Sequence, residues 1–222
     1  MTPPAAPEIG AGAGEDASPD VPLRAHRDAH LREMPLHSQQ VYRGHFLDVR
    51  RDRVQLPDGS QAHREYIVHP GAAMVVPVLD DGRLVVVRQW RHPMARVMVE
   101  FPAGKLEAGE PPFECAVREL FEETGYRAAE WARAGVMHNA IAYSTECIEI
   151  WFARGLSLGQ RQLDAGEFLD VFSASETELD DLARRGDLTD AKTLVGLQWL
   201  QNWRAGRWPL RWHDTPPGLA CP

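Results

Sequence analysis

A short segment of the chain, residues 104–126, concentrates side chains that could do chemistry together. It reads GKLEAGEPPFECAVRELFEETGY. Its charged residues include Glu110, Arg118, Glu119, Glu122 and Glu123. Carboxylates at this density suit hard divalent cations such as Mg²⁺ or Mn²⁺, usually bound together with the phosphates of a substrate. The segment therefore predicts a metal site that handles a phosphorylated ligand.

A helix from about Pro112 to Thr124 is predicted to position these groups. Its first residue is a proline, which a helix tolerates only in its first turn, and a glycine follows its last residue. At about 100° per residue, apolar residues fall on one side, and Glu119, Glu122 and Glu123 fall on the other. Arg118 precedes Glu122 by one helical turn and can orient its carboxylate.

The whole segment resembles the signature of the Nudix hydrolases, G-x5-E-x7-R-E-U-x-E-E-x-G-U, where U is apolar or aromatic. Every fixed position from Gly104 to Gly125 is matched, and Leu120 and Tyr126 occupy the U positions. An acidic cluster alone is more often a solvated helix face, but the flanking glycine, glutamate and arginine make that interpretation the weaker one here. The resemblance implies hydrolysis of a nucleoside diphosphate linked to another group.

Segments outside this signature resemble the ADP-ribose and nucleoside-diphosphate-sugar pyrophosphatases of the family. The resemblance covers about residues 41–203. Its particular matches are residues 64–65, 69–71, 89–91, 100–105, 164–168 and 190–193. The implied reaction is Mg²⁺-dependent hydrolysis of the diphosphate bond of ADP-ribose or a related nucleoside-diphosphate sugar, giving AMP and ribose 5-phosphate. Mn²⁺ could replace Mg²⁺.

The resemblance also implies the metal ligands and their support. Glu119 and Glu123 would bind the metal, with the backbone carbonyl of Ala103 as a further ligand. Glu122 would be a ligand or a base, and Arg118 would orient it. Metal ions would draw charge from the diphosphate and lower the pKa of bound water.

Roles for residues outside the helix follow from the same resemblance. Glu167 would position or deprotonate the attacking water. A loop-tip charge without catalytic function is the alternative for Glu167, and Glu146 is then the next candidate base. Arg91, Glu100 and Arg64 would contact the substrate, although Arg91 and Glu100 could instead simply pair with each other.

The sequence departs from the subgroup at one place, and this departure leaves the identity of the substrate undecided. ADP-ribose hydrolases often carry a proline beyond the signature, whereas residues 139–143 read NAIAY. A tyrosine at about this distance, here Tyr143, is associated with dinucleoside polyphosphate hydrolases. A non-catalytic nucleotide-binding Nudix module is a further alternative, which the complete acidic cluster disfavours.

Composition narrows the class of protein. The 222 residues are 44% hydrophobic and 25% charged, as in soluble globular proteins. A net charge of −8 argues against a nucleic-acid partner, which would require a basic surface. The three cysteines lack metal-ligand spacing, so a reduced, cytoplasmic compartment is expected. Neither a signal peptide nor an apolar stretch of about 20 residues is found, so no membrane partner is expected.

The chain must fold into elements that hold this helix in place. Strands are predicted at residues 72–79, 84–87, 97–101, 145–152 and 168–172, and helices at residues 174–185 and 190–203. This order predicts an α+β fold, and the resemblance specifies a Nudix α/β/α sandwich with a mixed sheet.

Four segments divide the chain. We predict a disordered tail over residues 1–38, an antiparallel β unit over 39–69, a Nudix hydrolase domain over 70–205 and a C-terminal tail over 206–222. The small β unit has too little core to stand alone, so it must pack on the main domain or on a partner chain. Relatives exchange such a unit across a two-fold axis, which implies a homodimer.

Overall fold

The computed structural model describes residues 25–160, 163, 166 and 168–215. The helices within these ranges are α1 (Pro112–Thr124), α2 (Glu176–Arg185) and α3 (Ala191–Arg204), with 3₁₀ turns at Ala25–Leu31 and His92–Met94. None of these helices is long and apolar enough to cross a membrane. The strands are β1 (Met34–Arg43), β2 (Asp48–Gln55), β3 (Gln61–Val68), β4 (Ala72–Pro77), β5 (Leu84–Arg91), β6 (Arg96–Glu100), β7 (Ala103–Lys105), β8 (Tyr126–Met137), β9 (Ile148–Leu158), β10 (Leu169–Ala174) and β11 (His213–Asp214).

The strands form three sheets. The N-terminal sheet has the order β1-β2-β3, a second sheet has the order β10-β5-β6, and the largest has the order β11-β8-β9-β4-β7. Strands β4 and β9 run parallel, while the other pairs of the largest sheet run antiparallel. The mixed sheet expected from the sequence is thus confirmed.

Strand β4 lies at the centre of the core and is buried on both faces. Side chains of a strand alternate between its two faces, so Met74 and Val76 point one way and Ala73 and Val75 the other. The first pair packs in a cluster that includes Leu197 and Leu200 of α3. The second pair packs in a cluster that includes Cys115, Ala116 and Leu120 of α1. Helices therefore cover both faces, and the α/β/α sandwich is confirmed.

Helix α1 has the bounds expected from the sequence. Gly125, with a φ of 76°, caps its C-terminus and donates its N–H to the Phe121 carbonyl at 2.7 Å. The acidic side of the helix differs from a solvated face at one position, because Glu123 is only 4% exposed. This carboxylate is covered by the strand that follows β6, where Ala103 begins β7.

The N-terminal sheet is attached to the domain at its third strand. Ile67 of β3 donates its N–H to the Tyr143 carbonyl at 2.8 Å and accepts from the Thr145 N–H at 3.0 Å. Strand β1 begins at Met34, within the segment expected to be a tail. Its polar stretch lacks alternating apolar residues, and pairing with β2 along its whole length forms the strand instead.

The described part of the C-terminal segment folds back on the domain. Strand β11 pairs with β8, and Thr215 accepts a hydrogen bond from the Trp131 indole N–H at 3.1 Å. The rings of Trp203 and Trp212 lie 5.5 Å apart, and the Arg154 guanidinium lies 4.1 Å from the Trp212 ring centre. These tryptophans act as packing anchors for the C-terminal segment.

The first turn of α3 holds the loop between β6 and β7. Thr193, which is fully buried, accepts the Phe101 N–H at 2.9 Å through its hydroxyl. The same hydroxyl donates to the Asp190 carboxylate at 2.6 Å, and this carboxylate also caps the helix by accepting the Thr193 N–H at 3.0 Å. One threonine thus connects the helix cap to the strand end that precedes Ala103.

We expect the substitution Thr193→Val to lower the free energy of unfolding by about 1–3 kcal/mol, because it leaves a buried backbone N–H of Phe101 without an acceptor. Urea denaturation of both proteins measures this difference. Thr189→Val is the matched control, since Thr189 is exposed and its loss should cost less than about 0.5 kcal/mol. Equal effects of the two substitutions would contradict the assigned role of Thr193.

Candidate active site

A cleft of about 610 Å³ opens where α1, β7, the start of α3 and the N-terminal sheet meet. Seven residues that the sequence analysis singled out line it. They are Arg91, Ala103, Arg118, Glu119, Glu122, Glu123 and Glu146. Side chains from distant parts of the chain therefore converge on one volume, which is large enough for a nucleotide-sized ligand.

The signature glycine Gly104 makes room for the carboxylate of Glu119. A Cβ atom on Gly104 would lie 1.6 Å from Glu119 Oε1, a distance that no real contact allows. The carboxylate of α1 therefore packs directly on the backbone of β7. Only glycine at position 104 permits this approach.

Arg118 ties the carboxylates of α1 together. Its Nε donates to Glu110 at 2.8 Å, and its Nη1 donates to Glu119 at 2.8 Å and to Glu122 at 2.9 Å. The hydrogen bond with Glu110, followed by the nearby charge of Glu119, raises the pKa of Arg118 far above its usual range. The same Arg118 bond lowers the pKa of Glu110. The predicted contact between Arg118 and Glu122 is present, as part of a wider network.

Glu123 lies beside the first residue of β7. Its Oε2 accepts the Ala103 N–H at 3.3 Å. A carboxylate and the main chain of Ala103 are thereby adjacent at the cleft wall, as the resemblance implied for two metal ligands.

These oxygen donors suit a divalent metal ion in chemical type. Glu119, Glu122 and Glu123 all line the same cleft, and carboxylates are the ligands that Mg²⁺ and Mn²⁺ prefer. Across the described ranges, no three acidic, histidine or cysteine side chains are grouped closely enough to form a complete metal site. Arg118 instead supplies the positive charge that the carboxylates require.

Two cations on the cleft wall are fixed by one buried carboxylate. Glu100, only 3% exposed, accepts hydrogen bonds from Arg91 Nε at 2.7 Å and Nη2 at 2.8 Å, and pairs with the Lys192 ammonium. Burial raises the pKa of Glu100, but the bonds from Arg91 and the charge of Lys192 outweigh burial and bring this pKa to about 2. Glu100 therefore stands behind the cleft wall, while Arg91 and Lys192 line it.

Among the described residues, two candidates from the sequence analysis, Arg64 and Glu100, do not line this cleft. Arg64 lies on β3, is exposed, and donates through Nε to Glu33 at 3.0 Å; it is not among the described residues that line the cleft. Glu167 lies outside the described residues.

Several lining residues were missed by the sequence analysis as functional candidates. They are Phe46, His69, Lys105, Asn139, Asp190 and Lys192. Each stands alone in a turn or at an element end, where no spacing rule applies. His69, Asp190 and Lys192 lie in segments that match the subgroup, but no individual role was assigned to them.

Comparison with known proteins agrees with this geometry. Residues 68–195 match the NUDIX domain model, and residues 35–67 match the model of the nucleoside diphosphate sugar hydrolase N-terminal domain. The first match covers more than half of the chain and includes α1 and the cleft. The chain belongs to the Nudix family and is a Nudix hydrolase.

Two relatives align with most of the chain. The ADP-ribose pyrophosphatase of Bacillus subtilis (strain 168) is 36% identical over 173 residues, which are 77% of this chain and 94% of the relative. The methanol dehydrogenase activator of Bacillus methanolicus is 34% identical over the same shares of each chain. The crystal structure of an ADP compounds hydrolase superposes with a TM-score of 0.72 at 24% identity, covering 79% of this chain and 96% of that chain. This last comparison confirms the fold.

We expect Gly104→Ala to reduce hydrolysis by about 10- to 100-fold while lowering the free energy of unfolding by less than about 1 kcal/mol. The new methyl group displaces the flexible Glu119 side chain without straining the main chain. Steady-state kinetics and urea denaturation measure the two effects separately.

Gly109→Ala is the control and should lower the free energy of unfolding while leaving the rate of hydrolysis unchanged. Gly109 has a φ of 82°, and no heavy atom lies within 4 Å of the position that a Cβ atom would take. Alanine there strains the backbone by about 1 kcal/mol but moves no carboxylate. If Gly104→Ala kept full activity, the contact between Gly104 and Glu119 would have no role in the reaction.

Proposed function

We propose that this Nudix hydrolase cleaves the diphosphate bond of ADP-ribose or a related nucleoside-diphosphate sugar, giving AMP and ribose 5-phosphate from ADP-ribose. The observation that carries the proposal is that one cleft contains both a group of carboxylates and a pair of cations. Carboxylates Glu119, Glu122 and Glu123 provide metal donors, and Arg91 and Lys192 provide fixed cations. The similarity to ADP-ribose pyrophosphatases along most of the chain supports this substrate class.

The chain's own groups account for substrate binding. A diphosphate brings negative charge that the carboxylates of α1 repel, so it must lie against cations. Arg91 is held by two hydrogen bonds from its guanidinium to Glu100, and its side chain is 43% exposed. Because the guanidinium is held in one orientation, little side-chain entropy is lost when it binds phosphate.

We assign metal binding to Glu119, Glu123 and the Ala103 carbonyl, with Mg²⁺ as the proposed ion. A divalent cation bound there draws charge from the diphosphate and lowers the pKa of bound water. Arg118 keeps Glu119 and Glu122 in place by donating to both from one nitrogen. A carboxylate near the water then accepts its proton, and the candidates for this role are Glu122, Glu146 and Glu167.

The position of Tyr143 argues against a dinucleoside polyphosphate as the main substrate. This tyrosine suggested that alternative in the sequence, but its side chain is 60% exposed. It is also not among the described residues that line the cleft. Its main chain instead joins the loop to the N-terminal sheet by accepting the Ile67 N–H.

We propose further that the protein is a homodimer in which each N-terminal sheet covers the partner. Every residue of β1 is exposed, including the apolar Leu36 and Val41. Trp90 and Val97, paired across β5 and β6, are also more than half exposed. Apolar side chains at such density are typical of a contact surface. An exchanged sheet would carry Arg64 away from its own cleft and toward that of the partner.

The proposed reaction is tested with Mg²⁺ and a panel of ADP-ribose, ADP-glucose, GDP-mannose, diadenosine polyphosphates and NADH. We expect ADP-ribose or another nucleoside-diphosphate sugar to be cleaved fastest, with AMP and ribose 5-phosphate detected by chromatography for ADP-ribose. Glu123→Gln should reduce this rate by about 100-fold or more, because one metal donor loses its charge.

Glu114→Gln is the matched control, since Glu114 lies on the exposed side of the same helix. It should leave the rate within about twofold of the wild type. Unchanged turnover in Glu123→Gln, with folding retained, would remove Glu123 from the metal site. Faster cleavage of diadenosine polyphosphates than of any sugar nucleotide would refute the substrate class.

We expect light scattering after gel filtration to give twice the chain mass of 24.9 kDa. Replacing the apolar Val41 of β1 by Asp should shift the population toward the monomer, because a charge at a buried contact is costly. Asp in place of Leu158, which is 71% exposed and lies on β9 of the main domain, is the comparison variant and should remain dimeric. A wild-type monomer at micromolar concentration would refute the homodimer.

A further inference from the structure

His69 contacts the cleft at the junction of the N-terminal sheet and the Nudix domain. It follows β3 directly, and its side chain is only 7% exposed. Its main-chain N–H donates to the Thr145 hydroxyl at 2.9 Å. The imidazole is therefore held between the two parts of the chain, and it lines the cleft together with Glu146.

The hydrogen bonds of His69 define which ring nitrogen carries the proton. Nδ1 accepts the Gly71 N–H at 3.1 Å, so this nitrogen must be unprotonated. The neutral ring therefore carries its proton on Nε2. Nε2 faces Glu146, with 3.5 Å to Oε1 of that carboxylate. The 3.5 Å separation is longer than a normal hydrogen bond, so a small movement of the carboxylate would let the Nε2–H group donate to Glu146 without giving up its proton.

The surroundings hold the ring in this orientation. Phe46, from the turn between β1 and β2, packs edge-on against His69 with 5.4 Å between ring centres. The Lys105 ammonium lies 4.2 Å from the centre of the Phe46 ring, on the side of the cleft. Burial lowers the pKa of His69, which Glu146 opposes and Lys105 reinforces. A neutral imidazole leaves the negative charge of Glu146 in place.

We propose that His69 is a positioning residue that holds the Glu146 carboxylate toward the metal-binding face of α1, where Glu146 orients or deprotonates the attacking water. The proposal rests on the proposed diphosphate hydrolysis. The Glu146 side chain is 22% exposed, and the bond from the Glu146 N–H to the Ser144 hydroxyl involves the main chain and does not hold the carboxylate. Without the Nε2 donor, the carboxylate would sample other rotamers, and the rate would fall while substrate binding stayed unchanged.

Two substitutions at position 69 separate positioning from folding. In His69→Asn, the side-chain oxygen can accept the Gly71 N–H, as asparagine commonly does two residues along, but no donor reaches Glu146. In His69→Gln, the amide nitrogen lies near the place of imidazole Nε2 and restores a donor. If His69 is purely structural, the asparagine variant should retain more activity. If His69 positions Glu146, the glutamine variant should retain more activity.

We expect His69→Asn to keep the wild-type melting temperature but to lower kcat by about 10- to 100-fold, with KM within about twofold. His69→Gln should recover most of this loss. Glu146→Gln should lower kcat by about 100-fold or more. The double variant His69→Asn with Glu146→Gln should be no slower than Glu146→Gln alone, because the histidine acts through the carboxylate.

Long-range ¹⁵N spectra of the histidine rings at about pH 8 provide a readout that does not depend on turnover. The chain contains nine histidines, so His69 is assigned as the ring whose signals disappear in His69→Asn. We expect the Nε2–H tautomer, with its signal shifted in Glu146→Gln. An Nδ1–H tautomer would overturn the proposal.

Other outcomes also overturn it. One is a wild-type kcat in His69→Asn, and another is a kcat in His69→Gln as low as in His69→Asn. The others are a kcat in the double variant lower than in Glu146→Gln alone, and full activity of Glu146→Gln. Failure of the proposed hydrolysis would be seen in the wild-type chain as absence of cleavage across the nucleotide panel. Failure of the His69 proposal alone would be seen only in the variants and in the tautomer.

Discussion

The acidic face of α1 is stable because a cation offsets the repulsion among its carboxylates. Glu119 and Glu123 are one helical turn apart, and like charges at this spacing repel each other and destabilise a helix. Arg118 offsets this repulsion by donating to Glu119, Glu122 and Glu110. Because the guanidinium is rigid, these carboxylates are fixed relative to one another, and its charge offsets part of their repulsion. The site is thus organised by one cation before any ligand is considered.

A strand buried on both faces determines where this cluster can lie. Strand β4 packs against α1 through Ala73 and Val75 and on the side of α3 through Met74 and Val76. Its antiparallel partner β7 brings Gly104 against Glu119, and the start of α3 brings Lys192 to Glu100. Carboxylates and cations are therefore positioned from opposite sides of one sheet. The cleft forms at the edge where the two sets meet.

The sequence predicts the helix and its acidic face well, because the fixed spacing of the signature encodes both local structure and chemistry. Short apolar runs mark the buried strands, and the resemblance to the family implies that these strands form a mixed sheet. The sequence offers the pairing of Arg91 with Glu100 as an alternative, but it does not predict that Lys192 joins this pair, because Lys192 lies far from both residues in the chain. His69 and Phe46 were missed for the same physical reason, as each depends on how the N-terminal sheet docks.

The docking of the N-terminal sheet connects assembly to chemistry. Its turn residue Phe46 and the junction residue His69 both line the cleft, so the sheet contributes directly to the site. Strand β1 packs few side chains against its own chain, because it is exposed along its whole length. A contact that orders β1 would therefore also restrain the turn that holds the His69 ring. If the chain dimerises through this sheet as proposed, dimer formation and the orientation of Glu146 would share one structural element, and loosening the sheet would affect the rate before it affected the fold of the domain.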